Sequence, residues 1–170
     1  NSEQSNTTNK TEQTDNLLNL ATNAKSAILI EATTGEILFE KNAHEKLAPA
    51  SMTKIMSMIL IMEEIEKGKL KWDDVLIASE YASSMGGSQI FLQPNEKMKV
   101  EDLFKGVAVA SGNDAAVALA EQIAGSVDMF VSMMNKKAKN LGLVNTNFKN
   151  YHGLDEGEHY TTAYDLAILT

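Results

Sequence analysis

The chain has 170 residues, 44% of them hydrophobic and 22% charged, which is long and apolar enough to bury a core and excludes a wholly disordered chain. Its formal net charge is -8 and all 15 basic residues are lysine, so no basic surplus exists to displace counterions and no nucleic-acid partner is expected. Cysteine is absent, which removes both a disulfide framework and a thiolate metal site.

Residues 1–14 are rich in Asn, Ser, Thr and Gln and read as a solvated tail or linker. A short helix led by Thr14 and Asp15 is predicted next, with Leu17, Leu18 and Ala21 on one face. Two strands follow, over 26–31 and 36–40, joined as a hairpin around Thr34-Gly35. The apolar run from Ile55 to Met62 is far shorter than the roughly 20 residues a membrane span needs. It predicts instead a buried helix that starts near Ser51, holds Met52, Met56, Met58 and Met62 as core fillers, and ends near Gly68. Glu63-Glu64 and Asp73-Asp74 read as solvated faces, and Trp72 as a packing anchor. From Trp72 to Val100 the chain is loop-rich, with short extended pieces at 75–78 and 89–92. Helices are predicted over 101–110, 114–124 and 127–140, the last capped by Ser126. An irregular stretch from Gly142 to Tyr160 then leads to a final helix started by Thr161 or Thr162.

Two short motifs carry chemistry. If the Ser51 helix forms, Ser51 and Lys54 stand one turn apart on the same face, so a hydroxyl and an amine meet at its N-terminal end. A serine is a weak nucleophile until a base takes its proton, and a lysine flanked by Ile55, Met56 and Met58 at the positive end of a helix dipole has its pKa lowered. The same residues also suit a plain buried helix with a cap serine and a snorkelling lysine. In the second motif, Ser111-Gly112-Asn113 interrupts two apolar helical stretches as a sharp polar turn. Ser111 there suits a proton relay and Asn113 a ligand for a substrate amide; equally, Ser111 closes one helix and Asn113 or Asp114 caps the next. His152, Asp155, Glu158 and His159 are metal-ligating types close in sequence, but their acidic, Gly-rich setting reads as a surface loop, and neither a metal nor a cofactor is expected.

Ser51-Met52-Thr53-Lys54 followed by Ser111-Gly112-Asn113 resembles the serine penicillin-recognising enzymes, which carry S-x-x-K, S-x-N and then K-T-G. The similarity is closer to the low-molecular-mass penicillin-binding proteins that act as D-alanyl-D-alanine carboxypeptidases. It extends through Ser88-Gln89-Ile90-Phe91-Leu92, His152-Gly153-Leu154-Asp155 and the segment from Tyr160 to Ala167. The resemblance implies Ser51 as nucleophile, Lys54 as general base, Ser111 as proton relay and Asn113 as substrate-amide ligand, with Ser88 lining the cleft. The implied activity is removal of the terminal D-alanine from peptidoglycan stem peptides through a serine acyl-enzyme, with β-lactams as covalent inhibitors. The implied fold is α/β (α+β), of the β-lactamase/transpeptidase-like type. It comprises a hairpin of an antiparallel sheet over 26–45, a mostly helical subdomain over 46–160 and the start of a return helix over 161–170.

K-T-G occurs nowhere in the chain. Residues 15–170 are therefore expected to form the front portion of a peptidase S11-like domain, partnered by a missing C-terminal segment and inactive alone. By the same resemblance the protein is expected at the extracytoplasmic face of the bacterial membrane or in the cell wall. A class A-like β-lactamase and a non-catalytic penicillin sensor are the competing readings; Gly112 stands where the former usually has Asp.

Overall fold

The computed structural model describes residues 20–170; the predicted tail over 1–14 and the start of the helix led by Thr14 lie outside the described residues. β1 (Ala27–Ile30) and β2 (Ile37–Lys41) form the expected antiparallel hairpin, with Leu29 opposite Phe39. The Glu31 carboxylate closes its turn by accepting the Thr33 and Thr34 amides, and Gly35 supplies the positive φ of +73°. The hairpin carries apolar residues that find no cover within the described chain: Leu29, Ile37 and Leu38 are 47%, 43% and 45% exposed.

A 3₁₀ turn, Ala50–Met52, leads directly into α1 (Thr53–Glu66). The buried side of α1 is Thr53, Lys54, Met56, Ser57, Leu60, Ile61 and Glu64, a helical spacing that aims polar and apolar groups alike at the interior. This corrects two expectations. Met52 and Met62 are 51% and 46% exposed, because they lie off that face, and Met52 lines an apolar groove of about 390 Å³ with Pro49, Ile55 and Leu166. Glu64 is buried, and hydrogen bonding to Lys67, with further help from Lys69, holds its carboxyl below the usual range. Glu63 is half-buried and pairs with Lys137.

β3 (Val75–Ile77) pairs antiparallel with β4 (Lys97–Lys99), and a short helix, α2 (Glu80–Ser83), capped by Ser79, was not predicted. The extended piece expected at 89–92 is not a strand. The amides of Ile90 and Leu92 both donate to the Asp114 carboxylate, and Phe91 between them bulges outward at φ +63°. Trp72 stands edge-on to Phe104, ring centroids 5.3 Å apart, and is half-exposed.

Helices α3 (Val100–Ala110), α4 (Asn113–Ala124), α5 (Val127–Asn140) and α6 (Ala163–Leu169) complete the chain, with Ser126 capping α5 and Thr162 capping α6. α4 is the central element, buried at every position from Asn113 to Ala120, and Phe130, Met134, Leu103, Val107 and Met56 belong to the core it runs through. An isolated bridge between Leu47 and Thr161 ties the loop before α6 to the approach of α1, and a second, between Asn147 and Tyr160, closes that loop on itself.

Candidate active site

The site is assembled from three loops around the head of α1. Ala50 adopts φ +48°, a left-handed conformation uncommon for alanine, and turns the chain so that Ser51 is exposed while Thr53 and Lys54 point inward. Ser51 therefore sits on the 3₁₀ turn just ahead of the helix rather than in it. The one-turn spacing still brings the pair together: Lys54 Nζ is 3.3 Å from Ser51 Oγ and 2.9 Å from the His152 carbonyl, to which it donates. Its partners among the described residues are thus a hydroxyl and a carbonyl, with no carboxylate. Burial, at 2% exposure, pushes its pKa down to about 8. About a tenth of such an amine is free base at pH 7, against less than about one part in a thousand for an ordinary lysine.

The second motif forms the turn between α3 and α4. Ser111 closes α3 in a left-handed conformation, φ +55°, as its helix-ending reading expects. Neither Asn113 nor Asp114 caps α4, whose cap position is Gly112 without a side-chain bond. Their side chains face the 86–92 loop instead: Asn113 Nδ2 donates to the Gly86 carbonyl at 2.7 Å, and the Asn113 amide to the Ser88 carbonyl at 2.7 Å. The Ser88 side chain is itself exposed. Ser111 Oγ and Asn113 Oδ1 are both buried and without a partner among the described residues, unused hydrogen-bonding capacity at the residues singled out for substrate and proton handling. Ser111 makes no hydrogen bond to Ser51 or Lys54.

A two-residue bridge joins the motifs. A Cβ on Gly153 would stand 1.9 Å from the Ala50 carbonyl oxygen, while the next residue, Leu154, reaches within 3.6 Å of where a Gly87 Cβ would be, beside Asn113. The loop behind the bridge is anchored at Asn150, whose Oδ1 accepts the Gly153 amide, and at Ser57, which donates to the Tyr151 carbonyl.

Sequence reasoning singled out Ser51, Lys54, Ser111, Asn113 and Ser88 but missed what holds them. The Asp114 carboxylate, 1% exposed, accepts three amides, those of Ile90, Leu92 and Ala115. His159, expected on a surface loop, is 4% exposed and bonded to Thr53. His152 supplies its carbonyl to Lys54; burial, and secondarily the Lys54 charge, pushes its imidazole down to about 4. Asp114→Asn turns an amino group toward the amides the carboxylate accepts. It is expected to cost about 2–3 kcal/mol, read as a lowered urea midpoint at unchanged slope, and to loosen the 88–92 loop.

The family model described as D-alanyl-D-alanine carboxypeptidase, Peptidase S11, matches residues 8–170. The D-alanyl-D-alanine carboxypeptidase DacF of Bacillus subtilis is 62% identical over 150 residues, covering 88% of this chain and 39% of its own length. The crystal structure of the D-alanyl-D-alanine carboxypeptidase DacD from Francisella tularensis is 44% identical with a TM-score of 0.85, over 86% of this chain and 36% of that one. The ampicillin-bound Penicillin-Binding Protein D2 from Listeria monocytogenes is 29% identical with a TM-score of 0.76, over 86% of this chain and 59% of that one. The chain thus spans about two fifths of the length of curated relatives such as these.

Proposed function

Because the chain belongs to the Peptidase S11 family of D-alanyl-D-alanine carboxypeptidases, we propose that its site performs acyl transfer, with Ser51 as nucleophile and Lys54 as the base that takes its proton. The observation that carries the reading is a buried amine with only neutral partners, 3.3 Å from an exposed hydroxyl.

The substrate is a peptidoglycan stem peptide ending in D-Ala-D-Ala. Lys54 as free amine accepts the Ser51 proton, and the serine oxygen attacks the carbonyl between the two D-alanines. Backbone amides at the head of α1, that of Ser51 among them, face the developing oxyanion. The free Asn113 Oδ1 accepts a substrate amide N–H, and the unpartnered Ser111 hydroxyl relays the proton from Lys54 to the departing D-alanine. Water then cleaves the ester. A β-lactam acylates the same serine, but its leaving group stays tethered, so the adduct persists; the ampicillin-bound relative supports this behaviour.

No K-T-G triad is present in these 170 residues, and the reaction is proposed for a protein in which residues 15–170 are joined by a strand that supplies a carboxylate-binding lysine. Such a protein acts outside the bacterial membrane, where its substrate is.

Incubating that protein with a fluorescent penicillin tests the reading. The expected result is a long-lived adduct, mapped by mass to the peptide containing Ser51, together with D-alanine release from diacetyl-Lys-D-Ala-D-Ala. Rapid turnover of the penicillin would make it a β-lactamase, and no adduct would leave a non-catalytic module.

A further inference from the structure

His159 has no place in the mechanism above, yet it is buried against the residue between Ser51 and Lys54 that points inward. Its Nε2 lies 2.8 Å from Thr53 Oγ1, and its Nδ1 accepts the Lys149 amide at 2.9 Å. An amide N–H can only donate, so Nδ1 must be the bare nitrogen and the neutral ring carries its proton on Nε2, which donates to Thr53. Thr53 is fully buried at the first position of α1, and His159 packs its ring on Phe148, centroids 5.9 Å apart. The bond spans 106 positions and joins the two pieces whose relative placement sets the Ser51–Lys54–His152 geometry: the head of α1, and the 147–160 loop that carries the His152 carbonyl.

We propose that His159 is a positioning residue for acyl transfer: as the Nε2–H tautomer it pins the first turn of α1 to the loop whose His152 carbonyl holds Lys54. This rests on the acyl-transfer reading of the same site. The function belongs to one protonation state. A second proton on Nδ1 would face the Lys149 N–H donor to donor, break that contact, and release the loop from the helix. The groups around the ring are Thr53 through its hydroxyl, Lys149 through its amide, and Glu156, Asp155 and His152 as the titratable neighbours; burial lowers the His159 pKa, and the two carboxylates partly oppose that.

Acylation by the fluorescent penicillin is measured from pH 4.5 to 9 in the penicillin-reactive protein and in Thr53→Val, His159→Gln, His159→Ala and the Thr53→Val/His159→Ala pair. Nitrogen-15 imidazole spectra report the tautomer. The expected rate falls tenfold per pH unit below about 8, as Lys54 protonates. It then steepens further at acid pH as His159, whose pKa burial lowers, takes its second proton. Thr53→Val and His159→Ala each slow acylation about 10- to 100-fold at pH 8, the pair no more than the slower single. His159→Gln keeps a donor for Thr53, recovers part of the rate and loses the steepening.

An Nδ1–H tautomer, fully additive losses, or a folded Thr53→Val with unchanged acylation would each overturn the proposal. Absence of acylation in the parent protein would instead overturn the acyl-transfer reading on which it stands. Thr53→Val keeps volume and removes only the hydroxyl, so the proposal stays decidable even where His159→Ala fails to fold.

Discussion

Lys54→Met is expected to slow acylation of Ser51 about 1,000-fold or more and to make the remaining rate nearly independent of pH between 6 and 9. Methionine fills much of the same apolar space without a basic nitrogen, so Ser51 loses the amine 3.3 Å away that is proposed to accept its proton. The parent rate should climb tenfold per unit and level off near pH 8, where Lys54 is half free base. The same shift has a consequence for stability, with a fixed sign. In the unfolded chain this lysine holds its proton to about pH 10.4, whereas in the fold it releases it near about 8. Between those values the unfolded chain binds more protons, so raising the pH through that window stabilises the fold. Below it, the cost of burying the ammonium is fully present. Relative to Lys54→Met, the parent should therefore gain about 1 kcal/mol from pH 7 to pH 9, read from paired urea unfolding curves. A flat difference would mean that Lys54 keeps an ordinary pKa, and a parent rate that does not rise toward pH 8 would remove it as the base.

What the sequence made legible divides by range. Helix α5 and its Ser126 cap, the Thr162 start of α6 and the β1–β2 hairpin rest on periodicity, caps and turn residues within a few positions of one another, and they appear where that local chemistry puts them. The Ser51–Lys54 pair was legible for the same reason, since a spacing of three on helical backbone decides it. Most of the misreadings involve partners far along the chain. Gln89 to Leu92 reads as a short extended piece, but the Ile90 and Leu92 amides are taken by Asp114, 22 to 24 positions away, which no local pattern announces. His159 sits among Asp155, Glu156 and Glu158 and so reads as solvated, while its ring bonds Thr53 across the fold. Glu64 looks like the outward half of an acidic pair until Lys67 and Lys69 fold back over it. Met62 has helical spacing from Met58 and Met52, yet which arc of α1 faces the core is chosen by the loop at 151–152, which receives Ser57 and Lys54. Motif reasoning thus brought Ser51 and Lys54 together, and the structure supplied the second tier that holds them.

Gly153→Ala tests how tightly that second tier is built, because no spare volume exists at the position. The added Cβ would fall 1.9 Å from the Ala50 carbonyl oxygen, 2.4 Å from its carbon and 3.0 Å from Thr53 Oγ1, and the residue sits at φ +92°. The obstructing atoms are mostly backbone, so no side chain can swing clear. If Ala50 yields, the strained turn carrying Ser51 moves, and with it the carbonyl that accepts the Thr53 amide. If the loop yields, the His152 carbonyl leaves Lys54 and the Asn150–Gly153 hydrogen bond of 2.7 Å breaks. Either route couples stability to chemistry. The expected cost is about 4 kcal/mol or more in unfolding free energy, with penicillin acylation slowed about 100-fold or more in whatever fraction folds. Gly125→Ala provides the contrast: that residue also has a positive φ, +76°, but nothing lies within 4 Å of its missing Cβ. It should cost only the backbone strain, about 1 kcal/mol, and leave acylation at the parent rate. Equal losses in the two variants would mean that the contact between Gly153 and Ala50 is not what fixes the turn carrying Ser51.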